Sequence, residues 1–237
     1  MRGRVTAFGS VAVLVAAAGL AAALSAGSTA GQVLYPPPPA GDPVASAAAG
    51  AAAEVDLSSR SFVGDVSLTT HRVGLSGTES YTLVYQAPDR SELIPPSPAG
   101  GTLITIGDIG YAEDSFSASG RGWFYYKVPR GEPTGARMAT VYLEIFLHNP
   151  AVVFTPGGYQ LVVVTTVPPG QARLPLNGAG EEETVATASL KDGRIASEVV
   201  TFHMPRSSST IRVRYKDFGS APAIPTPAGA QKAPTLP

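Results

Sequence analysis

Alternation of apolar and polar positions with a period of two runs through most of this chain and predicts strand after strand. Between Ser61 and Thr70, Phe62, Val66 and Leu68 fall on one side and Asp65, Ser67 and Thr69 on the other. From Ser80 to Ala87, Tyr81, Leu83 and Tyr85 oppose Thr82, Val84 and Gln86. Thr102–Ile106 and Ile109–Glu113 flank a turn at Gly107-Asp108, Gly122–Val128 is aromatic on both faces, and Tyr159–Val167 is rich in β-branched residues. Further on, two alternating strands meet at Leu190-Lys191-Asp192-Gly193-Arg194-Ile195, where Asp-Gly accepts the positive φ of a tight hairpin turn. A last strand sets Ile211, Val213 and Tyr215 against Arg212, Arg214 and Lys216, a sheet with one dry and one wet face. Repetition at this spacing predicts an antiparallel meander.

One segment fits two templates. Met138–His148 reads as a helix with Met138, Val141, Tyr142, Ile145 and Phe146 on one face, Thr134 as N-cap and Asn149-Pro150 as stop. It also reads as a strand through Val141, Leu143, Ile145 and Leu147. The helix is preferred, and one helix on a curved antiparallel sheet makes a mainly-β (α+β) domain.

The ends of the chain break the pattern. Arg2 and Arg4 precede an apolar run from about Phe8 to Ala23 and the small residues Ser25 to Ala30, the layout of an export signal cleaved near Gly31. The same run is close to spanning length, so an uncleaved anchor is the alternative. These features divide the chain into a leader, 1–30, a Pro/Ala-rich linker, 31–57, a domain, 58–225, and a disordered tail, 226–237. Pro36 to Pro39 make the linker a stiff spacer, and its Ala run, without an apolar stripe, is read as linker with room for a helical turn or two. Pro, Ala, Thr and Gly dominate from about Ala221 onward. The protein is expected to be exported, to the cell envelope or outside the cell, and tethered to the membrane if the leader stays attached.

Composition narrows the chemistry. With 237 residues, 44% of them hydrophobic, there is material for one sizeable core. Without Arg2 and Arg4 the basic residues fall to 15 against 18 acidic ones, so no cationic excess is present to drive nucleic-acid binding. The chain has no cysteine, which excludes disulfides, thiolate chemistry and lipid attachment through an N-terminal Cys. His71, His148 and His203 stand at no metal-ligand spacing, and no cofactor is expected. Gly74-Leu75-Ser76-Gly77-Thr78 lacks the final Gly of a nucleophile elbow and reads as a hairpin loop. Asp108, Glu113 and Asp114 are too few oxygen ligands for calcium. Catalysis is not expected.

Several short motifs, in order, carry a resemblance. Tyr85-Gln86-Ala87-Pro88-Asp89-Arg90, Ile106-Gly107-Asp108 with Tyr111, Gly122-Trp123, Leu190-Lys191-Asp192-Gly193-Arg194-Ile195 and Tyr215-Lys216-Asp217-Phe218-Gly219 span most of Phe62 to Pro225. Together they resemble the LolA/LppX-like envelope lipoprotein family. The resemblance implies an antiparallel sheet curled into an incomplete barrel, one or a few helices over its open face, and an apolar cavity between. It implies carriage of lipids, lipidated proteins or glycolipids, or else a sensor module that binds a membrane regulator. This chain departs from the family in lacking the acylated Cys and in placing the Ala-rich linker where many members have a long N-terminal helix.

The apolar face such a sheet must bury or fill is then expected to comprise Phe62, Val66, Leu68, Tyr81, Leu83, Tyr85, Ile104, Ile106, Phe124, Tyr126, Tyr159, Leu161, Val163, Val199, Ile211, Val213 and Tyr215. As a ligand site these residues would bind a lipid or another apolar small molecule; as ordinary core they would pack under the helix. Trp123 to Tyr126 fit either a cavity mouth or an aromatic cluster. Asp89-Arg90 is expected to pair at a strand end or to meet a head group. The expectation is a monomeric, non-enzymatic lipid binder without nucleic-acid partners; a membrane protein is the partner in the sensor alternative, and a wall-binding adhesive domain on a stalk is a third class.

Overall fold

The computed structural model of the chain describes residues 43–72, 74–97, 100–114, 122–130, 132–141, 143, 153–155, 158–167, 180–192, 194–204 and 207–233. The expected leader, the four prolines after it, and positions 142 and 144–148 of the expected helix, Tyr142 and His148 among them, lie outside the described residues.

Helix α1 spans Pro43–Ser59, followed by strands β1 (Phe62–Arg72), β2 (Leu75–Gln86), β3 (Arg90–Ile94), β4 (Leu103–Ile106), β5 (Ile109–Asp114) and β6 (Gly122–Lys127). After a 3-10 turn at Arg137–Ala139 come β7 (Val153–Thr155), β8 (Gly158–Val167), β9 (Gly180–Lys191), β10 (Arg194–Met204), β11 (Ser207–Lys216) and β12 (Gln231–Lys232). All twelve strands belong to one sheet in the order β12-β6-β5-β4-β3-β2-β1-β11-β10-β9-β8-β7. The sheet curls without closing, so the architecture is the expected incomplete barrel. Two meanders meet where β11 returns to pair with β1, Val66 opposite Val213 and Leu68 opposite Ile211.

The turns form where the sequence places them. Gly107 at φ 56° links β4 to β5, and Asp192 at φ 54° links β9 to β10, conformations that Gly and Asp accept at small steric cost. Gly74 at φ 77° turns β1 into β2, and the residues after it, expected as loop, are already strand.

Two segments depart from expectation. The Ala-rich stretch is a 17-residue helix, not a linker, since alanine favours the helix even where it supplies no apolar stripe. Leu57 alone among the described helix side chains is fully buried, with Ala53 packed beside it. Arg137–Ala139 is a 3-10 turn, and Thr140, Val141 and Leu143 are turn positions rather than the start of an α-helix. Ala139, Val141 and Leu143 are nevertheless buried in the same core as Leu57.

Beyond the last long strand the chain is a strap. Ile224 is 2% exposed and sits on Val84 and Ile104, with Ile94, Ile106, Tyr111, Trp123 and Ala221 around them. Its amide donates to Gln86 Oε1 at 2.9 Å, and its carbonyl accepts from Arg90 Nη1 at 2.9 Å. The strap ends as β12, paired parallel to β6, where a disordered tail was expected.

Candidate functional site

Pairing register assigns every strand position to one of two faces. The inner face carries Phe62, Val66 and Leu68 of β1, Tyr81, Leu83 and Tyr85 of β2, and Ile211, Val213 and Tyr215 of β11. Through β3, β4 and β5 the same face continues to Phe124 and Tyr126 on β6. Through β10 and β9 it continues to the register positions of Tyr159, Leu161 and Val163 on β8. Fourteen of the seventeen expected residues thus share one face.

Ile104, Ile106 and Val199 do not. The first two lie on the outer face, in the satellite cluster beneath the strap. Val199 opposes Arg212 on the outer face, and Glu198, Val200 and Phe202 are the residues that point inward. A register irregularity between Ile195 and Ser197 then brings Ile195 to the inner face as well, buried beside Leu190.

Near one rim the inner face is closed. The Phe62 ring meets Tyr215 edge-on at 5.2 Å, Tyr85 at 5.3 Å and Phe218 at 5.9 Å. The Tyr85 hydroxyl lies 2.8 Å from the carbonyls of both Ser58 and Pro88 and shares its single proton between them, which ties the helix end to the sheet. Asp56 adds exposed ion pairs to Arg60 and to Arg194 of the β9–β10 hairpin. α1 therefore lies across the strand ends that include the starts of β1 and β10 and the end of β2.

Burial pushes the Tyr85 phenol up to about 12, with the nearby Asp89 carboxylate adding to the effect. A folded state that holds its proton more tightly than the unfolded chain is fully stabilised below pH 10, and that stability is lost as the pH rises toward 12. The urea midpoint is expected to fall across this window, and Tyr85→Phe should show a smaller fall. Equal falls in both proteins would remove Tyr85 from the linkage.

At the other wing, the Tyr126 ring covers Gly110 so closely that a Cβ there would meet the ring at 2.4 Å. Burial raises the Tyr126 pKa, and the Glu132 carboxylate adds to it; burial raises that of Glu132 too. Phe124 and Tyr126 are half-buried, whereas Tyr125 faces out and is 37% exposed.

Among the described residues, one carboxyl side chain is buried within the apolar face. Glu198 is 1% exposed, opposite Val213 and Ala188, and its Oε2 accepts a 2.9 Å hydrogen bond from the Tyr215 hydroxyl. Such a carboxyl persists in an apolar setting only with hydrogen-bonding partners. Sequence reading passed over it because a glutamate among valines suggests the wet face.

Asp89-Arg90 does not form the expected ion pair. Arg90 reaches the strap instead, at Ile224 O and Thr226 Oγ1. His71 is exposed at the hairpin end of β1, its Nδ1 3.0 Å from Ser76 Oγ, and His203 is exposed on β10.

No protein-family model matches the chain, and no curated protein matches it. Among solved structures it is similar to a LolA superfamily protein from Nitrosomonas europaea, at 11% identity and TM-score 0.35, over 76% of this chain and 94% of that one. A DUF1329 family protein from Desulfovibrio piger is similar at 10% identity and TM-score 0.25, over 75% and 93%. An outer membrane lipoprotein-sorting protein domain from Vibrio parahaemolyticus is similar at 6% identity and TM-score 0.25, over 75% and 92%.

Proposed function

We propose that this protein is a non-enzymatic binder or carrier of a lipid or similar apolar molecule, exported to the cell envelope, and that the ligand lies against the inner face of the curl. The observation that carries this reading is one continuous apolar face shared by both meanders, buried from Leu83 through Val66 and Ile211 to Phe202 beneath α1 and the segment that holds Val141 and Leu143, so that a ligand reaches it by displacing that cover. A ligand chain that hides a few hundred Å² of apolar surface would gain several kcal/mol at about 25 cal/mol per Å². The Glu198–Tyr215 pair gives such a ligand one polar point of contact. The order of short motifs along the strands, which resembles that of lipid-carrying half-barrels, supports the same reading.

The test is native mass spectrometry of residues 31–237 purified from an envelope-containing host, followed by organic extraction. A discrete bound mass that passes into the organic phase is the expected result. A bare protein mass, together with no binding of an apolar fluorescent probe, would overturn the reading. Recovery of one membrane protein in stoichiometric amount, without lipid, would favour the sensor module.

A further inference from the structure

The outer face is covered by the strap on one half of the sheet and left open on the other. There a groove of about 570 Å³ crosses β3, β2, β1, β11 and β10, in the size range of small-ligand sites. It is independent of the inner face.

Register lays its floor out as a grid. In one row Thr82, Asp65, Arg214 and Ser197 stand side by side, and in the next Ser80, Ser67, Arg212 and Val199. Pro95 and Pro96, where β3 ends, form an apolar wall with Ile94. Arg212 and Arg214 are two residues apart on one face, so their Cα atoms are about 7 Å apart. Both are exposed, and among the described residues neither side chain makes an ion pair or hydrogen bond. Of the two acidic residues that line it, Glu198 turns its side chain to the inner face, where it accepts from the Tyr215 hydroxyl, and Asp65 is held through both oxygens by Lys216 Nζ at 2.9 Å. The groove therefore holds two arginine side chains without an ion-pair partner among the described residues, in a chain whose net charge is −1.

We propose that this groove is a binding site for a phosphorylated polyol, a phosphate monoester carried on a small hydroxylated unit. A monoester carries close to two negative charges at neutral pH, which matches the two guanidinium groups. Two planar forks can each give parallel N–H donors to phosphate oxygens, geometry that lysine lacks. Ser67, Ser80, Thr82 and Ser197 supply hydroxyls that both donate and accept, as the polyol requires. The proline wall seats its C–H surface. The same chemistry is presented by a free phosphorylated polyol and by the head group of an anionic lipid.

Two probes separate these sources: glycerol 3-phosphate in solution, by calorimetry, and phosphatidylcholine vesicles with or without phosphatidic acid, by co-sedimentation. Saturable, salt-sensitive binding of either probe is expected, weakened at least tenfold in Arg212→Gln/Arg214→Gln and unchanged in Arg72→Gln, an exposed arginine at the β1 hairpin end. Arg212→Lys/Arg214→Lys keeps the charges without the forks and should fall between the two, which keeps the test valid if the glutamine variant folds poorly. Binding of vesicles alone would identify the lipid head group, and binding of the free ester would identify the soluble source. No binding of either probe, or equal binding by all variants, would overturn the proposal.

Discussion

Replacing Phe62 with alanine is expected to cost about 3–5 kcal/mol of folding stability, the range for deleting a fully buried aromatic side chain. Phe62 is 0% exposed and stands where three parts of the protein meet. Its ring touches Tyr85 of β2, Tyr215 of β11 and Phe218 of the turn that starts the strap. β1 is the strand that joins the two meanders, so the cavity would open at the seam of the sheet. The rings around it are held by hydrogen bonds, Tyr85 to Ser58 and Pro88 and Tyr215 to Glu198, so they are poorly placed to collapse into the space. Urea unfolding of the purified variant measures the loss. With a slope of about 1–3 kcal/mol per molar, the midpoint should move by about 1 M or more. A loss under about 1 kcal/mol would show that the ring is not packed as described.

Gly135→Ala is expected to destabilise by about 3 kcal/mol, at the upper end of the range for overpacking. Gly135 is buried where the segment after β6 crosses two turns. Its amide donates to Gly107 O at 3.0 Å, and the Gly107 amide donates in turn to Asp89 O at 2.9 Å. A methyl group there would overlap the Asp89 carbonyl oxygen, 2.7 Å from its carbon and 3.0 Å from the Thr105 oxygen. These are backbone atoms, so no side-chain rotation relieves the overlap. The segment must lift, and with it Ala139, Val141 and Leu143, which close the core beneath it. Ala136→Ser, one residue on and exposed, should change the folding stability by no more than about 0.5 kcal/mol. Equal midpoints for the Gly135 and Ala136 variants would mean that the crossing is looser than the contacts imply.

The meander was legible because β1, β11 and β2 as far as Thr82 each have one buried and one more exposed face, the condition under which period two shows in sequence; only at Val84 does the strap bury the other face of β2. The misplaced residues mark where that condition fails. In β4, Leu103, Ile104 and Ile106 are all apolar because the strap covers the outer face there, so alternation carries no sign. In β10 the inward row includes Glu198, and the irregularity after Ile195 changes parity midway, so counting from Val199 selects the wrong face and omits Val200 and Phe202. β3, Arg90-Ser91-Glu92-Leu93-Ile94, escaped notice because only alternate positions are buried and one of them is Ser91. The helix gave no stripe because its contribution to the core is essentially Leu57. The outer groove was present in sequence only as the polar half of an alternating strand. Its shape depends on strands 130 residues apart, and no local pattern reports that.

An unclosed sheet has two edges, and both are blunted here. One ends in the three residues of β7 and the other in the two residues of β12, which include Lys232. Without β12, the open edge would be β6, six residues reading Gly-Trp-Phe-Tyr-Tyr-Lys, with free amides and carbonyls beside an exposed Tyr125. Such an edge is a template on which another copy could add a strand. The strap's last contacts, Gln231 and Lys232 paired with Phe124 and Tyr125 and the Ala233 amide on Tyr125 O at 2.8 Å, occupy that template from within the same chain. A segment with the composition of a loose tail thus takes up the hydrogen-bonding edge that β6 would otherwise present.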